Sequence, residues 1–317
     1  MVIIDHRNIC KIASYSILSG TISSIFPTEI EEIAHRIAKR LLCLRLDFPN
    51  DTLAFADDKK PYWRTKYINQ WYVTRGLEPI TYKGNRGQSV WPFQTTPERM
   101  DKLYNELKLR MAEALNALII EDVGLEADDV WGIIAKSATV PMVGVSTDSD
   151  WRQLCSIDKI TVLDPAQNIK YCAPVDIRPK MICGDRGDNI MGCPKRRKDG
   201  TLMKSNWGID GAMKLLAKPN WQLGLDGEIL ERNRILIELP CPLWDLKELE
   251  EALSSCITTP TTVTTEERDA IFTRYGLTVS VRQSMEDQAA RSAWIESMRV
   301  KLQEQNNVAE KEESKDA

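Results

Sequence analysis

Histidine is almost missing from this chain: His6 and His35 are the only two in 317 residues. A histidine-based mechanism, or a zinc site built on imidazoles, has little to draw on. The eight cysteines fall without a CxxC pair or a nearby histidine, so a zinc ribbon is not expected either. Reduced thiols of this kind suit a cytoplasmic setting. No run of 18 apolar residues occurs, and no membrane span is expected. The opening MVIIDHRNI has an acid at its fifth position after a short apolar run, and reads as a strand rather than a secretory leader. Excess positive charge is missing too: the net charge is −4, which at first sight argues against a nucleic-acid binder.

What is present is carboxylate, in clusters. GLEADD spans Gly124–Asp129, STDSD spans Ser146–Asp150, and GDRGDN spans Gly184–Asn189. Each alone has an ordinary explanation. Glu126, Asp128 and Asp129 can cap a helix and offset its dipole. Asp148 and Asp150 can form a turn, and Asp185 and Asp188 a solvated helix start. Together they are harder to explain without a cation. Glu126 and Asp129, and likewise Asp185 and Asp188, are three apart and share a helix face. Asp148 and Asp150 share a face if the backbone there is extended. Hard oxygen ligands suit Mg²⁺ or Mn²⁺, and two such ions can activate a water and stabilise the leaving oxygen of a phosphodiester.

The periodicity predicts alternating strands and helices. Val2–Asp5 and Thr52–Ala56 read as strands that end in acids, the second at Asp57-Asp58. Glu29–Leu46 carries a helical apolar stripe with Thr28 as N-cap. Pro97–Leu118 is a helix opened by a Thr95/Glu98 capping box. LII, PMVGVS and KITVLD are further strands, separated by a helix from about Ala127 and a short one in TDSDWRQL. This alternation implies a parallel α/β sheet, whose ligands bind off the carboxyl ends of the strands. Between them lies an aromatic and basic stretch, Lys59–Arg86, and beyond Pro174 the pattern turns helical, interrupted by the basic KRRKDGTLMK, Lys195–Lys204. Trp131 and Trp151 read as core; Trp63 and Trp71 are the better candidates for base stacking.

GLEADD, STDSDWRQL and GDRGDNIMG, in that order, together resemble the 5′-nuclease superfamily, which includes phage 5′→3′ exonucleases and ribonuclease H, and flap endonucleases. The likeness runs from Asp5 to about Leu253. It implies a PIN-like α/β core with a parallel sheet and flanking helices over 1–173, a helical arch at about 59–96, a helical region with a helix-turn-helix DNA-binding element over 174–300, and a disordered tail over 301–317. It implies a two-metal site of Asp5, Asp57, Glu126, Asp128, Asp129, Asp148, Asp150, Asp185 and Asp188, with Asp58 as rival to Asp57. Tyr82, Lys83 and Arg86 of TYKGNR would meet the scissile phosphate, with Trp71, Tyr72 and Arg75 as the rival set. Duplex contacts would come from Arg64, Lys195, Arg196, Arg197, Lys198, Lys204 and Lys214. Mg²⁺ is the implied cofactor, Mn²⁺ its substitute, and K⁺ a further ion at the helix-turn-helix. With these nine acids set aside the remaining formal charge is +5, and the tail Gln303–Ala317 holds five acids against two lysines, so the surface elsewhere is basic.

The activity so implied is Mg²⁺-dependent cutting near 5′ ends of flap or nicked DNA and RNA–DNA hybrids, by a monomer in a host cytoplasm, removing primers and flaps in phage replication. A single-strand binding protein or clamp is the implied protein partner. Two other readings stand beside it. A catalytically weak DNA-binding factor would keep the fold and usually lose ligands. A toxin-like RNase would lack GDRGDN and the helix-turn-helix.

Overall fold

The computed structural model describes residues 1–18, 26–84, 92–156, 159–196, 201–287 and 290. In chain order the elements are β1 (Val2–Asp5), α1 (His6–Tyr15), α2 (Glu29–Asp47), β2 (Leu53–Ala56), α3 (Trp63–Val73), α4 (Pro97–Leu115), β3 (Leu118–Ile120), α5 (Ala127–Lys136), β4 (Met142–Val145), β5 (Ile160–Asp164) and β6 (Ile169–Tyr171). Then follow α6 (Arg178–Cys183), β7 (Gly184–Asp185), β8 (Ile190–Met191), β9 (Pro194–Arg196), β10 (Leu202–Asn206), α7 (Ile209–Leu216), α8 (Gly227–Ile237), α9 (Leu246–Ser255), β11 (Ile257–Thr258) and α10 (Thr265–Arg274). A 3₁₀ helix covers Ser149–Ser156.

Seven strands form one sheet in the order β11-β3-β2-β1-β4-β5-β6. The five inner strands are parallel, and β11 and β6 close the edges antiparallel. Every residue of β1 and β2 is buried, as strands covered on both faces require. One face carries α1, α2, α4 and α10 over Ile4, Phe55 and Val145; the other carries α5, the 3₁₀ helix and α9 over Ile3, Ala54 and Val162. Trp131 and Trp151 stack there as core, 5.0 Å apart and 8° from parallel. They lie so close to β4 that a Cβ on Gly144 would stand 2.9 Å from both rings.

Some local expectations shift. The N-cap of α4 is Thr96, which accepts from the Arg99 amide; Thr95 instead gives its amide to Glu29. That helix stops at Leu115, where Asn116 takes a left-handed turn. Asp148 and Asp150 are not on an extended strand: Asp150 lies in the first turn of the 3₁₀ helix. The edge strands β6 and β11 were not anticipated, being short and exposed, without apolar alternation. The basic insert forms the β9–β10 hairpin, with residues 197–200 outside the described set. Most of the chain beyond residue 287, the tail included, also lies outside it.

Candidate metal and nucleic-acid site

The carboxylates gather at the carboxyl ends of the inner strands. Asp5 ends β1 and caps α1, accepting from the Asn8 amide at 3.0 Å and from Ser146 Oγ, just past β4, at 2.9 Å. Burial, then the neighbouring charge of Asp58, pushes its carboxyl up to about 7. Asp128, in the first turn of α5, accepts from Trp151 Nε1 at 3.0 Å. Burial pushes it well above the ordinary range, and Asp148 and Asp5 push it further. Asp148 accepts from the Asp150 amide at 2.9 Å, and Asp58 from the Ala127 amide at 3.0 Å. Asp5, Asp58, Asp128 and Asp148 thus form one set in which Asp58 and Asp148 repel the desolvated carboxyls of Asp5 and Asp128.

Beside it, Tyr82 and Lys83, in the segment expected as an arch, are bound to the acids. Glu126 is the N-cap of α5; its Oε2 receives Arg64 Nη1 at 2.8 Å and the Tyr82 hydroxyl at 3.0 Å, and its Oε1 meets the Lys83 ammonium. The same hydroxyl lies 2.9 Å from Asp188 Oδ2, and its single proton serves one acid at a time. Lys83 adopts φ +57, and its amide donates to the Asp188 carbonyl at 2.9 Å. Asn189 Nδ2 donates to the Thr81 carbonyl at 3.0 Å. These bonds hold TYK against the GDRGDN hairpin. That hairpin is tight: Gly184 has φ +75, and a Cβ on it would sit 2.2 Å from the Ile190 carbonyl oxygen.

Lys180 of α6, which the sequence reading passed over, bridges Asp150 and Asp185, reaching Asp185 Oδ2 at 2.7 Å. Burial raises Asp185, but Lys180 and the Gly187 and Asp188 amides outweigh it and hold that carboxyl low. A lone lysine inside RPKMIC carries no sequence signal; only the fold aims it.

Three expected residues are placed elsewhere. Asp57 is buried in an ion cluster with Lys108 Nζ at 2.7 Å and Arg7 Nε at 3.2 Å. Burial pushes it up, yet His6, Lys108 and Arg7 together hold it below its ordinary value; His6, whose own pKa burial depresses to about 4, is neutral near pH 7. Asp58 therefore faces the acids, and Asp57 is already neutralised. Asp129 is fully buried and spent on α5: it closes a capping box with Glu126, accepts from Trp63 Nε1 at 3.0 Å, and pairs with Arg64. Arg64 Nη2 lies 2.7 Å from its Oδ1 but off line, so that oxygen has no hydrogen bond. Arg64, expected on DNA, is 3% exposed and held between two acids and the Leu236 carbonyl.

The rival phosphate set points away. Tyr72 is buried with its hydroxyl 3.4 Å from Arg232 Nη1, and Arg75 pairs with Glu228 of α8. The stacking candidates are also engaged: Trp63 packs on Trp244, and Trp71 carries the guanidinium groups of Arg75 at 4.2 Å and Arg232 at 4.6 Å. Of the duplex set, Lys214 is exposed on the last turn of α7, and Lys195 lies 5.5 Å over the Trp207 ring. Arg196 and Lys204 lie on β9 and β10. Arg86, Arg197 and Lys198 lie outside the described residues.

Among the described residues, no three His, Cys, Asp or Glu side chains stand close enough to share one metal ion. The donor chemistry nonetheless fits a hard divalent cation. It is all carboxylate, free of thiol or imidazole, and its desolvated members Asp5 and Asp128 are repelled by their neighbours. Lysine ammonium groups already meet Glu126, Asp150 and Asp185.

No family model matches the chain, and no curated protein sequence does. Its fold is that of a phage flap endonuclease. The D15 protein of bacteriophage T5, co-crystallised with metal ions, aligns over 92% of this chain and 98% of its own at 17% identity, with a TM-score of 0.51. The T5 D15 flap endonuclease, as an Asp-to-Lys variant in a pseudo-enzyme–product complex with DNA and metal ions, aligns over 92% and 97% at 18% identity and the same score. The parallel sheet with flanking helices expected from the sequence is thus the observed architecture.

Proposed function

We propose that this chain is a divalent-metal-dependent, structure-specific 5′-nuclease that hydrolyses phosphodiesters in DNA or RNA–DNA, with exonuclease, flap-endonuclease and ribonuclease H-type action. The observation that carries this reading is the gathering of Asp5, Asp58, Asp128 and Asp148 at the strand ends, with Asp5 and Asp128 pushed towards protonation. Buried acids do not stay charged together without a cation, and such perturbation clusters at functional sites. These four would hold Mg²⁺ or Mn²⁺, with Glu126, Asp150, Asp185 and Asp188 completing the set. In such donors the chemistry a divalent cation supplies is water activation and charge neutralisation on phosphoryl oxygens.

The chain's own residues do the rest. Lys83, on Glu126 in the free protein, presents an ammonium to a non-bridging phosphate oxygen. Tyr82 and Asp188 anchor the loop that carries it. Lys195 on the β9–β10 hairpin and Lys214 on α7 would meet duplex phosphates, contacts that set register without reading sequence. Removal of primers and flaps is the task such an activity serves.

The test is cleavage of end-labelled 5′-flap, nicked and RNA–DNA hybrid substrates, with Mg²⁺ and with EDTA, beside Asp128→Asn. Mg²⁺-dependent cutting from the 5′ side that the variant loses is the expected result. Metal-independent binding without turnover, equal in both proteins, would leave a DNA-binding protein on a nuclease fold.

A further inference from the structure

A cleft of about 310 Å³ lies away from the carboxylates, between α2 and the β5–β6 turn. Ser16 on its wall follows Asp5 by the whole of α1, about 15 Å at 1.5 Å per helical residue. The cleft shares no side chain with the site above. Its floor is apolar: Ala13, Leu44, Leu163 and Pro165. Its rim is cationic. Arg36, Lys39 and Arg40 recur at i, i+3 and i+4 on α2, so they share one face.

The three cations are unequally occupied. Arg36 is paired with Glu32 and bonded to Ser16. Among the described residues, Lys39 and Arg40 have no carboxylate partner within 4 Å; Arg40 has only the Pro165 carbonyl. Asp47 is the one acid on the lining, and burial pushes it towards the neutral form. Burial likewise depresses Arg40, whose charge is poorly compensated. Asn168, in a left-handed turn conformation between β5 and β6, adds an amide able both to donate and to accept.

A half-desolvated guanidinium and an ammonium beside a small apolar floor suit a phosphomonoester carried on a flat ring with a polar edge. The volume is at the lower end of the ~300–1,000 Å³ of small-molecule sites, room for one nucleotide and not for a duplex. We propose that this cleft binds a nucleotide 5′-monophosphate, its phosphate on Arg40 and Lys39, its ring on the apolar floor and its base edge at Asn168. The ligand can be a free mononucleotide or the 5′-terminal nucleotide of a strand, since both present the same group. The proposal does not rest on the nuclease reading.

The test is isothermal titration of the full chain in EDTA, which keeps any metal-dependent hydrolysis silent. The probes are 5′-dAMP, deoxyadenosine, inorganic phosphate and a 5′-phosphorylated oligothymidylate. Saturable 5′-dAMP binding is expected, tighter than that of deoxyadenosine or phosphate. It should weaken at least about tenfold in Arg40→Gln, as loss of a charge-assisted contact implies, and recover in part in Arg40→Lys. Circular dichroism of each variant guards against a folding artefact. Oligonucleotide binding that falls in parallel in Arg40→Gln assigns the ligand to strand ends; oligonucleotide binding insensitive to Arg40 assigns it to free nucleotide. Absence of saturable 5′-dAMP binding overturns the proposal, as does equal affinity in Arg40→Gln or binding no tighter than phosphate alone. Cleavage assays read the other site, so the two readings fail separately.

Discussion

Replacing Arg64 by methionine tests whether this arginine holds the site together from inside or grips nucleic acid from outside. The guanidinium is 3% exposed and bonds Glu126 and Asp129, each at 2.8 Å, and the Leu236 carbonyl at 3.0 Å. Methionine keeps much of the volume and removes the charge. It leaves two acids, exposed 1% and 0%, facing each other. Breaking a buried pair by deleting one partner costs about 3–5 kcal/mol. At roughly 2–4 °C per kcal/mol for a chain of this order, the melting temperature should fall by about 6–20 °C. The loss should also depend on pH. Burial already raises Asp129 with Arg64 beside it, and losing that cation raises it further, so the folded variant binds more protons than its unfolded chain. Its stability then falls as pH rises through that window, and the deficit against wild type widens from pH 5 to pH 8. Thermal unfolding by circular dichroism across that range measures it, and flap-substrate affinity in EDTA provides the second readout. A melting temperature within about 1 °C of wild type, with weakened DNA binding, would falsify the internal role and return Arg64 to the DNA surface.

Other outcomes follow from the same geometry. Asp58→Asn should abolish metal-dependent cleavage with little loss of stability, whereas Asp57→Asn, which takes the buried carboxylate from Arg7 and leaves Lys108 only Glu121, should cost about 3 kcal/mol or more in urea unfolding; the reverse ranking would restore Asp57 as the ligand. Gly184→Ala should destabilise by several kcal/mol, because its Cβ would stand 2.2 Å from a backbone oxygen at φ +75, and a protein of wild-type stability would refute that packing. Tyr82→Phe removes the buried hydroxyl that Glu126 and Asp188 share and should cost about 1–3 kcal/mol while slowing cleavage, as calorimetry and single-turnover kinetics would show. His35 is held by burial below its ordinary pKa, so the unfolded chain takes up its proton first as pH falls; stability should decline below about pH 6.5, and less so in His35→Gln.

The architecture and the neighbourhood of the site were legible in local patterns. Buried strands such as Val2–Asp5 and the apolar stripe of Glu29–Asp47 are local patterns, and an acid just beyond a parallel strand must stand at the sheet's carboxyl edge. Three acidic motifs on neighbouring elements were therefore bound to meet. Which acids face one another and which are spent elsewhere depended on long-range packing. Asp57 and Asp58 are adjacent in sequence, yet successive side chains diverge, one to Lys108 behind the sheet edge and the other towards Asp5. Asp129 looked like a ligand because it stands three residues from Glu126, and that same spacing made it a helix cap for Arg64 to neutralise. Lys180 and Lys108 were invisible beforehand because their partners lie far along the chain, Asp150 thirty residues from the first and Asp57 fifty-one from the second. Pairings of that kind carry no periodicity and exist only once the strands are in register.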